Sequence, residues 1–380
     1  MPVGRTEVHK SASPRASPAK GALSSGVLSP FPEGWYFVAS RRRLEKAKLI
    51  KKTWMGEEVV VWCDDRGVVC VSEAHCPHLG ADLGPDAGGC VRDGRLVCPF
   101  HGFEYDSGGQ CVANPLGPPP KAARLAVFET KEIAGLIFAW WGSGGRRPQW
   151  DLPAEELCQV GWSSPRLWTI RFPGHPQETT ENSVDLAHLR YVHGYDSVSR
   201  VDPLEVDGHF LRSRFDFTTT RRIARLGRFR LSVSANALIH GLGYSFVEVR
   251  EHTIGLDIRL WILASPVDGA HIDLTVVSQT GPVHSPNRPI AGLAFLPQRM
   301  RAPVINRFIA YFEKRDVLQD VPIWSRKQYR LRPRLSRADG EIMKFRAYCA
   351  QFYPEPSPAA TESPVAENLE VAADRPSLDV

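Results

Sequence analysis

Cys76-Pro77-His78, nineteen intervening residues, then Cys98-Pro99-Phe100-His101: this stretch decides how the chain is organised. It offers two thiolates and two imidazoles as two short pairs. Mixed Cys2His2 ligation suits a [2Fe–2S] cluster in which one iron takes both cysteines and the other both histidines. Between the pairs, Val91-Arg92-Asp93-Gly94-Arg95-Leu96-Val97 reads as a hairpin with Asp-Gly at its tip, which carries the second pair back beside the first. Structural zinc is the competing reading, since Cys2His2 also binds zinc. Small zinc modules rarely alternate Cys and His within both pairs among so many prolines and glycines, so iron–sulfur is preferred.

On either side of this stretch lie short strand-like runs. They cover Glu58–Cys63, Val68–Ser72, Leu125–Glu129 and Leu136–Trp141, with turn signals such as Asp65-Arg66-Gly67 between them. They predict a small antiparallel β domain over residues 31–145, ending at the linker Gly142-Ser143-Gly144-Gly145-Arg146-Arg147-Pro148. Longer runs follow at Phe210–Thr218, Phe229–Ile239, Tyr244–Glu251, Asp257–Ala264 and Ile272–Gln279. Several alternate apolar and polar residues, as a sheet with one buried face requires. After Pro303 the period becomes helical, with Val304, Ile305, Phe308, Ile309 and Phe312 as the expected buried stripe. The second domain therefore spans residues 146–354. It is expected to be a curved antiparallel sheet closed by helices over an apolar hollow.

The flanks differ. Residues 1–30 are rich in Ser, Pro, Ala and basic residues, and 355–380 in Pro, Ala, Glu and Ser; both read as disordered tails. The first also shares its composition with organelle transit peptides. The chain has 380 residues, 43% of them hydrophobic and 23% charged, an ordinary globular balance with room for two cores. The formal charge of +5 suits docking to an acidic electron carrier and is too diffuse for a nucleic-acid footprint. The eight cysteines are too sparse for a secreted disulfide scaffold. Cys63, Cys70, Cys90, Cys111, Cys158 and Cys349 are expected as small buried hydrophobes in a reducing compartment. With no apolar run of about 18 residues and no secretory core, a cytoplasmic protein is expected, at most peripheral to a membrane.

A second metal site is suggested by Asn182-Ser183-Val184-Asp185-Leu186-Ala187-His188-Leu189-Arg190-Tyr191-Val192-His193. Five residues do not keep two histidines on one helical face, but a helix ending near Tyr191 lets both reach one ion. Two histidines and one carboxylate leave positions open on Fe(II). A carboxylate such as Asp185 can also accept from the free ring nitrogen of a ligand histidine and orient it.

Cys76-Pro77-His78-Leu79-Gly80-Ala81 and Cys98-Pro99-Phe100-His101-Gly102-Phe103 resemble the cluster loops of Rieske non-haem iron oxygenases. Asn182, Asp185, His188 and His193 match that family's Asn-x2-Asp-x2-His-x4-His motif. The resemblance covers roughly residues 31–354 and is closest to the branch of 3-ketosteroid 9α-hydroxylases and cholesterol 7-desaturases. It implies an α+β fold: an N-terminal antiparallel β Rieske domain and a C-terminal helix-grip, START-like catalytic domain. It implies Cys76, His78, Cys98 and His101 as cluster ligands and His188 and His193 as ligands of a mononuclear Fe(II). It also implies Asp185, beside Asn182, as the electron bridge from a neighbouring subunit's cluster in a homotrimer. The carboxylate ligand comes from a late helix, where Asp316 and Asp320 compete with Glu313 behind them. In this branch it precedes a segment like Val321-Pro322-Ile323-Trp324-x2-Lys327, which selects Asp320 and leaves Asp316 on the helix surface. The desaturase branch usually carries an N-terminal membrane anchor; residues 1–30 do not read as one, so a membrane-resident role is not expected.

A terminal oxygenase follows as the expected function, using O2 and electrons from a ferredoxin or NAD(P)H-dependent reductase, because no dinucleotide or flavin fingerprint occurs. Its expected substrate is a steroid, sterol or similarly bulky apolar molecule, to be hydroxylated or desaturated. Leu256–Leu263 and Gly292–Leu296 are candidate pocket walls, with core packing an equal explanation of both runs. One alternative is oxidation or O-demethylation of an aromatic acid, which needs a positive group such as Arg221, Arg222 or Arg259 beside the iron. The others are a pure electron-transfer protein and a lipid-binding module with a vestigial iron site.

Overall fold

The computed structural model describes residues 28–153, 157, 160–223 and 227–353. The predicted tails, apart from residues 28–30, and Cys158 lie outside these residues. So does the side chain of Arg222.

Three small antiparallel sheets build the N-terminal β domain. One orders Gly34–Ser40, Leu136–Trp141 and Thr130–Ile133. The second orders Leu49–Trp54, Glu57–Cys63, Val69–Glu73 and Val127–Phe128, around Trp54, Val59 and Val61, which are fully buried. The third runs Cys90–Arg92, Arg95–Val97, Glu104–Tyr105 and Cys111–Ala113. The expected Asp-Gly hairpin joins its first two strands, with Asp93 at φ +47° and Gly94 at φ +70°. Two consecutive positive φ values make the turn that matches strand twist. A side chain at Gly94 is also sterically closed, since a Cβ there would meet the Asp65 backbone nitrogen at 2.2 Å.

The C-terminal half holds one eight-stranded antiparallel sheet. Its order is Arg166–Pro173, His271–Thr280, Leu256–Pro266, Tyr244–Glu251, Gly227–His240, Phe210–Ile223 and Ser197–Arg200, with Glu205–Asp207 on the last long strand. Side chains alternate between its faces. Phe246, Trp261, Leu263 and Val277 pack against Trp35, Phe37, Phe138 and Trp140, so one face rests on the β domain. At this junction a Cβ on Gly243 would lie 2.3 Å from the Trp35 carbonyl, which excludes any larger residue. Leu260 and Ile262 point the other way, toward the helix Gln298–Trp324 that closes the second face.

That helix differs from expectation. It starts five residues before Pro303 and carries Pro322 near its end. Its buried face runs through Ala302, Ile305, Asn306, Asp316, Val317, Asp320 and Trp324, whereas Phe308 is half exposed. Polar groups on the inner face break the apolar period that the sequence reading relied on. Two further expectations are decided. Leu293 packs in the core cluster of Leu260 and Ile305 while Phe295 is exposed, so of the two readings of the 292–296 segment core packing holds and a pocket wall does not. Cys90 is exposed and Cys63 half-buried against Arg41, while Cys70, Cys111 and Cys349 are buried as expected.

Candidate metal centres and the cavity between them and the sheet

The first centre sits on two loops at the end of the β domain. Cys76 and Cys98 are buried in a core with Leu83, Leu96, Phe103 and Tyr105. Each opens a tight turn: Gly80 donates to the Cys76 carbonyl at 2.8 Å and Gly102 to the Cys98 carbonyl at 3.1 Å. Burial, with Cys98 as neighbour, pushes the Cys76 thiol up. The rings of His78 and His101 meet edge to face at 4.9 Å, and His78 stacks on Phe103 at 4.4 Å. Nδ1 of His101 is buried and has no hydrogen-bond partner among the described residues. An unpaired buried nitrogen is costly, and a metal in that place satisfies it, so the donor set fits a [2Fe–2S] cluster. Sequence reasoning missed Tyr105, whose hydroxyl lies 2.9 Å from the Cys76 sulfur. Nothing in the spacing of the ligand pairs marks it.

The second centre lies under the closing helix. His188 is on the short helix Leu186–Tyr191, which ends where the five-residue histidine spacing demands, and His193 lies just beyond it. One ligand atom each from His188, His193 and Asp320 fall within 4.8 Å of one another, a set able to hold one metal ion. Both rings are oriented from behind. His188 Nδ1–H donates to the backbone carbonyl of Asp185. His193 Nδ1–H donates to Gln319 Oε1 at 3.0 Å, leaving its Nε2 3.4 Å from Asp320 Oδ2. Burial holds the His188 ring below its ordinary range. Burial also acts on His193, but Asp320 and Gln319 outweigh it and raise that ring.

Two details correct the sequence reading. The Asp185 carboxylate does not hold the His188 ring; it caps the helix, accepting from Ala187 N at 3.1 Å and His188 N at 3.4 Å. Asp316 is not on the surface but 6% exposed, and Arg221 is likewise largely buried. Arg221 grips both oxygens of Asp316, and the Tyr195 hydroxyl donates to the same carboxylate at 3.1 Å. Arg259, by contrast, stacks on Trp162 at 3.7 Å in a groove separate from this centre.

A cavity opens beside the second centre. Its walls include Phe215, Phe217, Val247, Leu260, Ile262, Val317 and Trp324, together with Asn182, His188, His193 and Asp320. Apolar walls with a few converging polar groups are the usual form of a small-molecule site.

Comparison with known proteins agrees with this layout. The Rieske [2Fe-2S] domain pattern matches residues 34–129, and the 3-ketosteroid 9alpha-hydroxylase C-terminal domain pattern matches 139–353. A cholesterol 7-desaturase of Ciona intestinalis is 28% identical over 357 residues, covering 87% of this chain and 70% of its own length. A 3-ketosteroid-9-alpha-monooxygenase oxygenase component of Rhodococcus rhodochrous is 26% identical, covering 85% of this chain and 84% of its own. Dicamba monooxygenase bound to dicamba shares the fold, with a TM-score of 0.59 at 19% identity, covering 84% of this chain and 96% of its own. No helix among the described residues is long and apolar enough to cross a membrane. With a cluster-binding β domain in front and the 9α-hydroxylase C-terminal domain filling more than half of its length, the chain belongs to the Rieske non-haem iron oxygenases and is a terminal oxygenase that works with a [2Fe–2S] cluster and mononuclear iron.

Proposed function

We propose that this oxygenase hydroxylates or desaturates an unactivated C–H bond of a steroid or sterol. The observation that carries the reading is the apolar cavity against His188, His193 and Asp320. The desaturase and monooxygenase relatives, which act on cholesterol and 3-ketosteroids by name, agree with it. In this reading Cys76, Cys98, His78 and His101 hold the cluster, and His188, His193 and Asp320 hold the iron. The metals supply electron delivery and O2 activation when bound. The chain's own residues orient and exclude. The Asp185 carbonyl and Gln319 each take an Nδ1–H, which fixes the tautomer and turns both Nε2 atoms toward one point. Phe215, Phe217, Leu260 and Ile262 keep water from the substrate's ring system and hold it against that point.

Electrons come from a ferredoxin or reductase, whose acidic surface the net charge of +5 attracts. Asp185, with Asn182 beside it, serves as the bridge from a neighbouring copy's cluster in a homotrimer. The protein works in the cytoplasm, at most peripherally on a membrane.

Oxidation of an aromatic acid is the second reading, and one observation favours it: Arg221 is buried near the iron site. Its charge is already matched by Asp316 and shared with Tyr195, however, so it offers no free site for a substrate carboxylate. Turnover of 3-ketosteroids, sterols and aromatic acids by the loaded protein with reconstituted redox partners separates the two. Mass spectrometry is expected to find an oxygenated or dehydrogenated steroid. Turnover of the acids alone overturns the proposal.

A further inference from the structure

Along the closing helix, Glu313 precedes Asp320 by seven residues, two turns, so the two share a face about 10 Å apart. Both line the cavity. Between them Asp316 is fully engaged by Arg221 and Tyr195. Glu313 is not: among the described residues its carboxyl makes no hydrogen bond or ion pair, although Phe215, Phe217 and Val249 line the same space. A carboxyl facing an apolar cavity with nothing to bond is costly unless the occupant supplies a partner. Its surroundings also favour the neutral form, since burial and then Asp316 push it up to about 7. A neutral carboxyl both donates and accepts, so a hydroxyl and a carbonyl suit it equally. A carboxylate brought in by the substrate would find no free cation here, since Arg221 is already engaged by Asp316.

We propose that Glu313 is a specificity residue that hydrogen-bonds a neutral oxygen, hydroxyl or carbonyl, on the part of the steroid far from the carbon attacked. The inference rests on the steroid reading and deepens it: this helix face recognises the oxygen the steroid carries and so sets which end enters first.

The test is equilibrium binding of cholestanol, cholestanone and cholestane, each delivered from cyclodextrin, to iron- and cluster-loaded protein. Wild type is expected to prefer the two oxygenated ligands. Glu313→Leu is expected to weaken cholestanol and cholestanone about tenfold and to leave cholestane unchanged or tighter. Glu313→Gln, which keeps a donor and an acceptor, is expected to stay within about threefold of wild type for all three. Glu313→Ala makes the same comparison should the leucine variant fail to retain the cluster absorbance. Equal loss of all three ligands, or no loss of any, overturns the role of Glu313 while leaving the steroid reading standing. Wild-type protein that binds none of them overturns both.

Discussion

Asp320 Oδ2 lies 3.4 Å from His193 Nε2, while Asp316, one turn earlier on the same helix face, is tied to Arg221 and Tyr195. Two buried carboxylates on one helix thus have different partners: a ring nitrogen for Asp320, a guanidinium and a hydroxyl for Asp316. Replacing Asp320 with Asn is expected to lower iron occupancy sharply and keep the fold, because the amide still accepts from His193 and a histidine that loses the carboxylate can shed its proton, which Arg221 cannot. Asp316→Asn is expected to do the reverse. It leaves the Arg221 guanidinium buried and unmatched, a change that costs about 3–5 kcal/mol and lowers Tm on the order of 10 °C. Iron analysis alongside thermal melting decides it, and loss of iron from the Asp316 variant alone would move the ligand.

The Tyr105 hydroxyl lies fully buried 2.9 Å from the sulfur of Cys76, and it is the donor once that sulfur is a thiolate. Adding an electron to the cluster makes its sulfurs more negative, so this hydrogen bond strengthens on reduction and raises the potential. Tyr105→Phe keeps the ring's packing and removes the donor. The expected result is an intact cluster spectrum with a midpoint potential lower by about 30–60 mV. An unchanged potential in a redox titration would show that the hydroxyl points elsewhere when the cluster is present.

Asp185 does two jobs with different atoms. Its carbonyl orients His188 and its carboxylate caps the helix that carries His188. Asn preserves the cap, whereas Ala costs about 1 kcal/mol at such a position. Asp185→Asn is therefore expected to retain iron and slow electron arrival in single-turnover kinetics. Asp185→Ala is expected to lose some iron as well. Wild-type single-turnover rates in the Asn variant would refute the bridge.

Much of this candidate site is legible in the sequence because residue types able to ligate metals come as spaced pairs. Cys76 with His78, Cys98 with His101 and His188 with His193 are the candidate pairs whose spacing carries the reading. The strand Tyr244–Glu251 is legible to the residue because its β-rich run lies between turn signals. What stays hidden is contact between distant segments. Gln319 reaches His193 from 126 positions away, and Arg221 reaches Asp316 from 95. No local pattern marks either pair. The closing helix misleads for a related reason: its inner face bears Asp320, Asp316 and Glu313, so its apolar periodicity is weak where it lines the cavity.

His240 gives a pH dependence with a definite sign. Burial and then His209 hold its ring at about 4, and its Nδ1 is buried without a partner among the described residues. An unfolded histidine titrates near 6.5. Between those values the unfolded chain takes up a proton that the folded chain refuses, so stability falls as pH drops from about 6.5 to about 4. Below about 4 this residue contributes no further loss. Partial exposure reduces the effect to an order of 2 kcal/mol. Phe210 and Tyr244 pack against the ring, so His240→Phe fits the same surroundings and removes the titrating group. The variant is expected to match wild type or exceed it at pH 7, since an unpaired nitrogen is replaced by carbon. Its Tm should then decline less steeply between pH 6.5 and 4, with His175, also held at about 4 by burial, supplying part of the remaining slope. Parallel melting curves for the two proteins across that window would place the acid sensitivity elsewhere.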